Sequence, residues 1–580
     1  MSASAPNPSG LLRPSARAIA TFAAIAFGLA VPSLYARLPS SLGEEARYAI
    51  GASLMLLSTI AAMLVWPRTP EDTAATASPL LRRVTMTAGA IAAFAIVFTT
   101  AMAWLPVVFD GPLDVNRGDM LVVTEAGVRR VLEGRTPYAM YHVPWEMTLS
   151  YGPVLWGPFI LPVMLHADVR VLTFVCFGSV ISALVLLAAA SVARRRWIAS
   201  ILLALLAILF TTQPNIRAFF PTGHTFVYWP LLLLLCATLS SDRWLLSAAI
   251  LGLLVAARTT MVALIPVFLI AAYRQRHLDW RLVVTLALTS LGPFVPFIVS
   301  DPRSVQFSMY GAYQKTIKGF VWTQTQWVQQ TFGVTGSLLR HGLQRFVEPV
   351  QVVSLVVVYA FAWRALRRGA RQEPWMALAL LVFSMTTLWP VTYLYFDVWV
   401  LLAGAFAFGV CPPPRRAAGI AAGASIAIVV GAAATLAAGS VLHGSLDLDV
   451  GTAAAAPMTG GGFGQDKSDV DGQRTFVWVE GPTARVRAPH AGLTTATVTI
   501  DLKPAGDDTP PRQQLRVAVN GHVVGSPVTL EPGWQSVTFQ VPPGRWIYGF
   551  NLLSLDFSRT TPEPGTGRPL SAAIDRIRIQ

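Results

Sequence analysis

The chain has 580 residues, of which 54% are hydrophobic and only 13% charged; a soluble domain carries about 25% charge, so the composition excludes an ordinary soluble protein. The mean hydropathy of +0.54 agrees with a polytopic membrane protein. A net charge of +14 would suit a nucleic-acid binder. Most of the arginine, however, falls between apolar runs, where it fixes topology by staying cytoplasmic, and no nucleic-acid partner is expected.

In chain order, apolar spans of about 20 residues are expected at 17–37, 47–66, 86–109, 169–193, 198–213, 223–240, 244–257, 259–273, 282–300, 349–366, 375–390, 393–410 and 417–440. The first reads as an uncleaved span rather than a signal peptide ending near Leu34-Tyr35-Ala36. With the N-terminus cytoplasmic, every inward turn carries arginine: Arg68, Arg82 and Arg83, then Arg194 to Arg196, Arg243, Arg274 and Arg276, Arg364 to Arg371, and Arg415 and Arg416. This obeys the positive-inside rule. It sets the 110–168 loop, the 301–348 loop and everything beyond about 440 outside a bacterial-type cell or inner membrane. Cys176, Cys236 and Cys411 lie in or beside apolar runs and imply neither a disulfide nor a cysteine zinc site.

Three domains follow: a membrane domain over 1–440, a Gly/Ala-rich linker over 441–469, and an external β-sandwich of jelly-roll type over 470–580. The last rests on short alternating runs such as Thr494–Leu502 and Gln514–Val524, with Asn520-Gly521 as a hairpin turn. Asp447/Asp449 and Asp469/Asp471 make DxD-like pairs but read better as linker and turn residues than as metal ligands. Trp478, Trp534, Trp546 and Tyr548 are candidates for a sugar platform, with at least two expected in the sandwich core.

The segment from Asp110 to Pro158 is the long polar excursion between spans, and loops beyond roughly 15 residues are usually functional or disordered. Asp110, Asp114 and Asp119 fall within it, followed by MLVVTEAGVRRVLEG, whose apolar spacing fits a surface helix ending at Gly134. Asp119 reads as the helix N-cap, as a general base for a hydroxyl, or as both. Asp114 takes its place if the helix begins one turn earlier. Further on, Tyr393, Tyr395 and Asp397 open a span, where an acid is a functional candidate or the partner of an arginine.

The order of an aspartate, a short helix, Gly134-Arg135-Thr136-Pro137-Tyr138 and then Tyr151-Gly152-Pro153 resembles the pattern of GT-C-fold glycosyltransferases. Within these it is most similar to the polyprenyl-phosphate-mannose-dependent mannosyltransferase group. Pro221-Thr222-Gly223-His224 resembles that group's Gly-Gln turn, with His in place of Gln. Ala256-Ala257-Arg258 resembles a segment that usually carries Lys, and Trp389–Tyr395 occupies the place of a late His/Tyr motif. The resemblance covers roughly residues 86–410. It implies that the α-helical membrane domain, with about 13 transmembrane helices by the apolar runs above, is GT-C-like, and that it transfers a sugar from a polyprenyl-phosphate donor to an envelope glycan, glycolipid or protein. The transfer would be a single displacement with inversion, and nothing in the sequence calls for a metal or cofactor.

The roles it implies are Asp119, with Asp114 as understudy, for acid–base chemistry; Arg258, Arg217, His224, Lys315 and Lys318 for the donor phosphate; and Tyr138, Tyr151, Tyr393 and Tyr395 for substrate. For each arginine and lysine the bland alternative is interfacial snorkelling or lipid-headgroup contact, and for His224 a satisfied structural histidine. Two competing functions remain: a flippase of lipid-linked sugars, which predicts paired mid-span charges and symmetric halves, and a non-catalytic envelope-assembly protein.

Overall fold

The computed structural model describes residues 14–67, 78–108, 113, 118–142, 146–412 and 445–580. Short breaks fall at 36, 166, 453–454, 456–457, 469–474, 491–493, 507–511, 548 and 564. The described residues divide between two compact units. The first lies within Met1–Thr100, Gly118–Ile160 and Leu172–Val430, and the second within Ala101–Arg117, Leu161–Val171 and Gly431–Gln580.

The first unit is helical. Among the described residues six helices are long and apolar enough to cross a membrane: Ser15–Leu34, Gly43–Leu64, Pro79–Trp104, Arg170–Ala193, Trp280–Ser300 and Gln344–Arg367. Shorter apolar helices cover Pro153–Met164, Trp197–Thr212, Thr225–Ser240, Trp244–Ala257, Thr259–Arg274 and Leu394–Val410. Eleven of these fall on expected apolar runs, with shifted ends, whereas Pro153–Met164 lies in the stretch expected to be an external loop. The 375–390 run is the Gln372–Thr386 helix, and the 417–440 span lies outside the described residues. The expected 301–348 loop is itself folded into short helices, including Ala312–Gly319 and Gly333–Arg340.

The Leu394–Val410 helix is buried along its whole length. Its wholly buried Trp399 lies where a side chain on Gly28 of the Pro14–Tyr35 helix would have to go, so the two helices approach through that glycine. At its far end Arg194 donates to the Pro412 carbonyl at 2.6 Å and Arg196 to the Val410 carbonyl at 3.0 Å. Cations there satisfy the orphan carbonyls and offset the negative end of the helix dipole.

Between the third and fourth long helices the chain builds the Asp119–Leu132 helix and a small hairpin of β1 (Met140–His142) and β2 (Glu146–Thr148). The helix buries Leu121, Val123 and Val128 and ends with Gly134 at φ +73°, the left-handed position that favours glycine. Its start corrects one expectation. Gly118 occupies the cap position, and Asp119 is the first helical residue, its carboxylate hydrogen-bonded to its own backbone. A Cβ on Gly118 would sit 2.7 Å from the Thr222 Cβ, so the chain enters the helix pressed against the 221–224 turn.

The second unit holds an antiparallel sandwich. One sheet runs β10 (Gln535–Val541), β7 (Ala496–Pro504), β13 (Pro569–Ile579), β5 (Phe476–Glu480) and β4 (Phe463–Ser468), with β3 (Leu446–Asp449) and β12 (Thr561–Pro562) also paired to β13. The other runs β6 (Thr483–His490), β11 (Gly549–Phe557), β8 (Gln514–Val519) and β9 (His522–Thr529). Inward residues alternate with outward ones. Val498, Ile500, Leu502, Ile577 and Phe539 from one sheet meet Val486, Val517, Leu553 and Leu555 from the other. Trp546 is core, whereas Trp534 and Trp478 both pack against Phe476; Tyr548 lies outside the described residues.

The 441–469 stretch does not form the expected linker throughout. Residues 446–449 and 463–468 are strands, with Leu448 buried. The reason is local: Leu446 and Leu448 alternate with two aspartates, and both aspartates have partners. Asp447 pairs with Arg576 at 2.7 Å, and Asp449 accepts from Thr475 at 2.9 Å. Asp469 and Asp471 fall outside the described residues.

Candidate active site

Five chain segments meet at one end of the first unit. The turn at Tyr151-Gly152 docks on the C-terminus of the Trp244–Ala257 helix: the Gly152 amide donates to the Ala257 carbonyl at 3.2 Å, and a Cβ on Gly152 would overlap the Ala256 carbonyl oxygen. That helix ends at Arg258 in extended conformation, so its side chain is set by the same junction. Tyr138 braces the turn from behind. It is wholly buried, donates its hydroxyl to the Tyr151 carbonyl at 3.3 Å and receives the Trp156 indole N–H at 3.4 Å.

Arg258 is buried and engaged on several sides. Its Nη1 donates to the Tyr228 hydroxyl at 2.6 Å, and the Tyr228 hydroxyl donates to Asp397 Oδ2 at 2.6 Å. The Trp229 indole N–H donates to Asp397 Oδ1 at 2.9 Å, and the Arg258 Nη1 to Asp397 Oδ2 distance is 3.6 Å. The guanidinium carbon also lies 5.3 Å from the centre of the Tyr393 ring, which stacks on Phe219 with centroids 4.6 Å apart and planes 11° from parallel. A buried carboxylate is costly unless paired and hydrogen-bonded, and Asp397 is both. Its partners Tyr228 and Trp229 close a 3-10 turn and open the next helix, so two consecutive residues present an O–H and an N–H to one carboxylate.

Asp119 is half-buried, and its carboxylate lies within electrostatic reach of the Tyr393 hydroxyl. Burial pushes its carboxyl above the ordinary carboxylate range, against a weaker pull from a hydrogen bond to its own backbone. His224 is wholly buried and meets the Tyr151 ring edge-on, with centroids 4.0 Å apart. Sequence reasoning therefore names residues that the structure brings together in Asp119, Tyr151, His224, Arg258 and Tyr393, with Tyr138 as a brace.

Others stand elsewhere. Asp114 lies outside the described residues. Arg217 is exposed on the Pro214–Phe219 helix, whose Phe219 joins the cluster instead. Lys315 is exposed, and Lys318 pairs with Glu348 at 2.8 Å above the Trp322 ring. Tyr395 is buried with its ring edge-on to Phe332 at 5.2 Å. Tyr228, Trp229 and Phe219 were not foreseen. Tyr228 and Trp229 stand at the head of an apolar helix and Phe219 ends the short helix before it, places where an interfacial belt predicts the same residue types.

The fold and site thus define a helical unit of membrane-spanning character with a buried arginine–carboxylate–aromatic network and a half-buried aspartate near it. No family model matches the chain, and no curated protein matches it. Among solved structures the chain is similar to the arabinosyltransferase EmbB from Mycobacterium smegmatis, at 11% identity and a TM-score of 0.24, covering 92% of this chain and 68% of that one.

Proposed function

We propose that the chain is an integral-membrane glycosyltransferase of GT-C type that moves a sugar, mannose or a similar hexose or pentose, from a polyprenyl-phosphate donor to an envelope acceptor. The observation that carries this reading is the convergence of segments far apart in sequence. The Asp119 helix, the Tyr151-Gly152-Pro153 turn, the 221–224 turn, Arg258 and Tyr393 are the places where the sequence resembles that group, and they adjoin one another: Tyr393 faces both Arg258 and Asp119, His224 meets Tyr151, and Gly152 docks beside Arg258.

Asp119 takes the proton of the acceptor hydroxyl as its oxygen attacks C1 of the sugar. The C1–O bond to phosphate breaks, and the phosphate leaves with the electron pair. A half-buried carboxylate of raised basicity suits the first role. Arg258 suits the second, because it keeps its charge at any working pH and its fork of five donors is only partly used by the tyrosines. Asp397 holds the guanidinium in place and acts through it. The flippase reading expects paired charges in mid-span; Arg258 and Asp397 sit at helix termini instead.

The test is a transfer assay with polyprenyl-phosphate mannose and its pentose counterparts on the purified chain. Loss of transfer in Asp119→Asn with an unchanged unfolding temperature supports the reading. Full activity in that variant removes the mechanism.

A further inference from the structure

Resting on that reading, we propose that His224 determines specificity by hydrogen-bonding a hydroxyl of the transferred sugar, and that it is not a ligand of the donor phosphate. The His224 side chain is wholly buried, and neither Nδ1 nor Nε2 has a hydrogen-bond partner among the described residues. Such a ring costs free energy until something pairs with it. Its position is fixed from two sides. A Cβ on the preceding Gly223 would overlap the Phe219 ring, and Thr222 presses on Gly118, the residue before Asp119. The Tyr151 ring that meets it edge-on is only half-buried.

The chemistry of the partner follows from the ring's charge. Complete burial and the nearby Arg258 guanidinium both favour the neutral imidazole. A neutral imidazole offers one donor and one acceptor. A phosphodiester oxygen can only accept from the protonated nitrogen and offers nothing to the bare one, whereas a sugar's hydroxyls can serve either nitrogen, each hydroxyl pairing with one. Phosphate recognition then falls to Arg258, and sugar recognition to the 221–224 turn.

The test uses the full chain in detergent and measures the Kd of three probes: polyprenyl-phosphate mannose, polyprenyl-phosphate ribose and sugar-free polyprenyl phosphate. Wild type is expected to prefer one sugar-bearing lipid over the sugar-free one by roughly tenfold or more, the scale of one hydrogen bond made in a buried site. His224→Phe keeps a ring against Tyr151, abolishes that preference and leaves sugar-free lipid within about twofold. His224→Leu reads the same quantity if the larger ring fails to fold. His224→Gln, which retains a donor and an acceptor, restores most of the preference. Equal weakening of all three lipids, or an intact preference in both His224→Phe and His224→Leu, overturns the proposal. Failure of wild type to bind any of the three lipids overturns the glycosyltransferase reading itself, and the inference with it.

Discussion

Gly152 rests directly on Ala256: its amide reaches the next carbonyl at 3.2 Å, and no side chain fits between the two backbones. The contact joins the Tyr151 turn to the segment that carries Arg258. A methyl group there must push one of them away, since the obstacle is a backbone carbonyl and not a flexible side chain.

Gly152→Ala is therefore expected to cost about 1–3 kcal/mol of stability, as overpacking does. It should also lower transfer by roughly 100-fold, because displacements near 1 Å are enough to misalign reacting groups. Gly157→Ala, where a Cβ meets nothing within 4 Å, is the control and should behave as wild type. Thermal unfolding and initial rates on the two variants decide it.

Asp397→Asn removes the charge that faces Arg258 and retains an acceptor for Trp229. Breaking one half of a buried ion pair typically costs 3–5 kcal/mol, about the loss expected here. Because Asp397 acts on Arg258 and not on substrate, the donor KM should rise more than kcat falls. A change confined to kcat, with donor KM unaltered, would assign Asp397 a direct part in the chemistry. Steady-state kinetics beside an unfolding curve separates these outcomes.

How far the sequence reaches is visible in particular residues. Asn520 and Gly521 announce a tight hairpin turn, and they adopt φ of +51° and +81° between β8 and β9. Gly134 announces the end of the Asp119 helix for the same reason of backbone chirality. These are local rules, and they carry over. The strand at 446–449 was hidden because only two leucines mark it, and its register depends on β13, more than 120 residues away. The Tyr228–Asp397 bond was hidden likewise. Nothing in the spacing of two residues on different apolar helices says that they face each other. Asp397 was legible as a carboxylate needing a partner, and which partner it takes is a property of packing.

The acid limb of the rate profile should report Asp119. As a base it works only when ionised, and burial raises its proton affinity. The sign follows: transfer is lost as pH falls through the raised pKa and recovers as pH rises above it. The limb should therefore lie above the ~3.9 of an unperturbed aspartate. Replacing Asp119 with Asn should remove the limb and leave a low, flat rate. A limb that survives in Asp119→Asn belongs to another group. The profile of kcat/KM is the measurement, since it reports groups in the free enzyme.

The sandwich offers a prediction independent of any activity. Asn551 is buried in β11, and its side-chain oxygen accepts from the Ile547 amide at 2.7 Å and from Asn520 Nδ2 at 2.8 Å. Its own amide donates to the Ile547 carbonyl at 3.0 Å, while Asn520 Oδ1 accepts from the Leu552 amide at 3.0 Å. One side chain thus ties the β8–β9 turn to the start of β11. Asn551→Leu matches its size but leaves the Ile547 N–H and C=O without these partners, at a cost of about 1–3 kcal/mol for each buried group so exposed. Hydrogen exchange followed by mass spectrometry on the full chain should show faster exchange through 514–557. The Leu394–Val410 helix should keep its protection, because it belongs to the other compact unit. Uniformly faster exchange across both units would mean that they unfold together, and unchanged exchange in 514–557 would mean that the Asn551 bonds contribute nothing net.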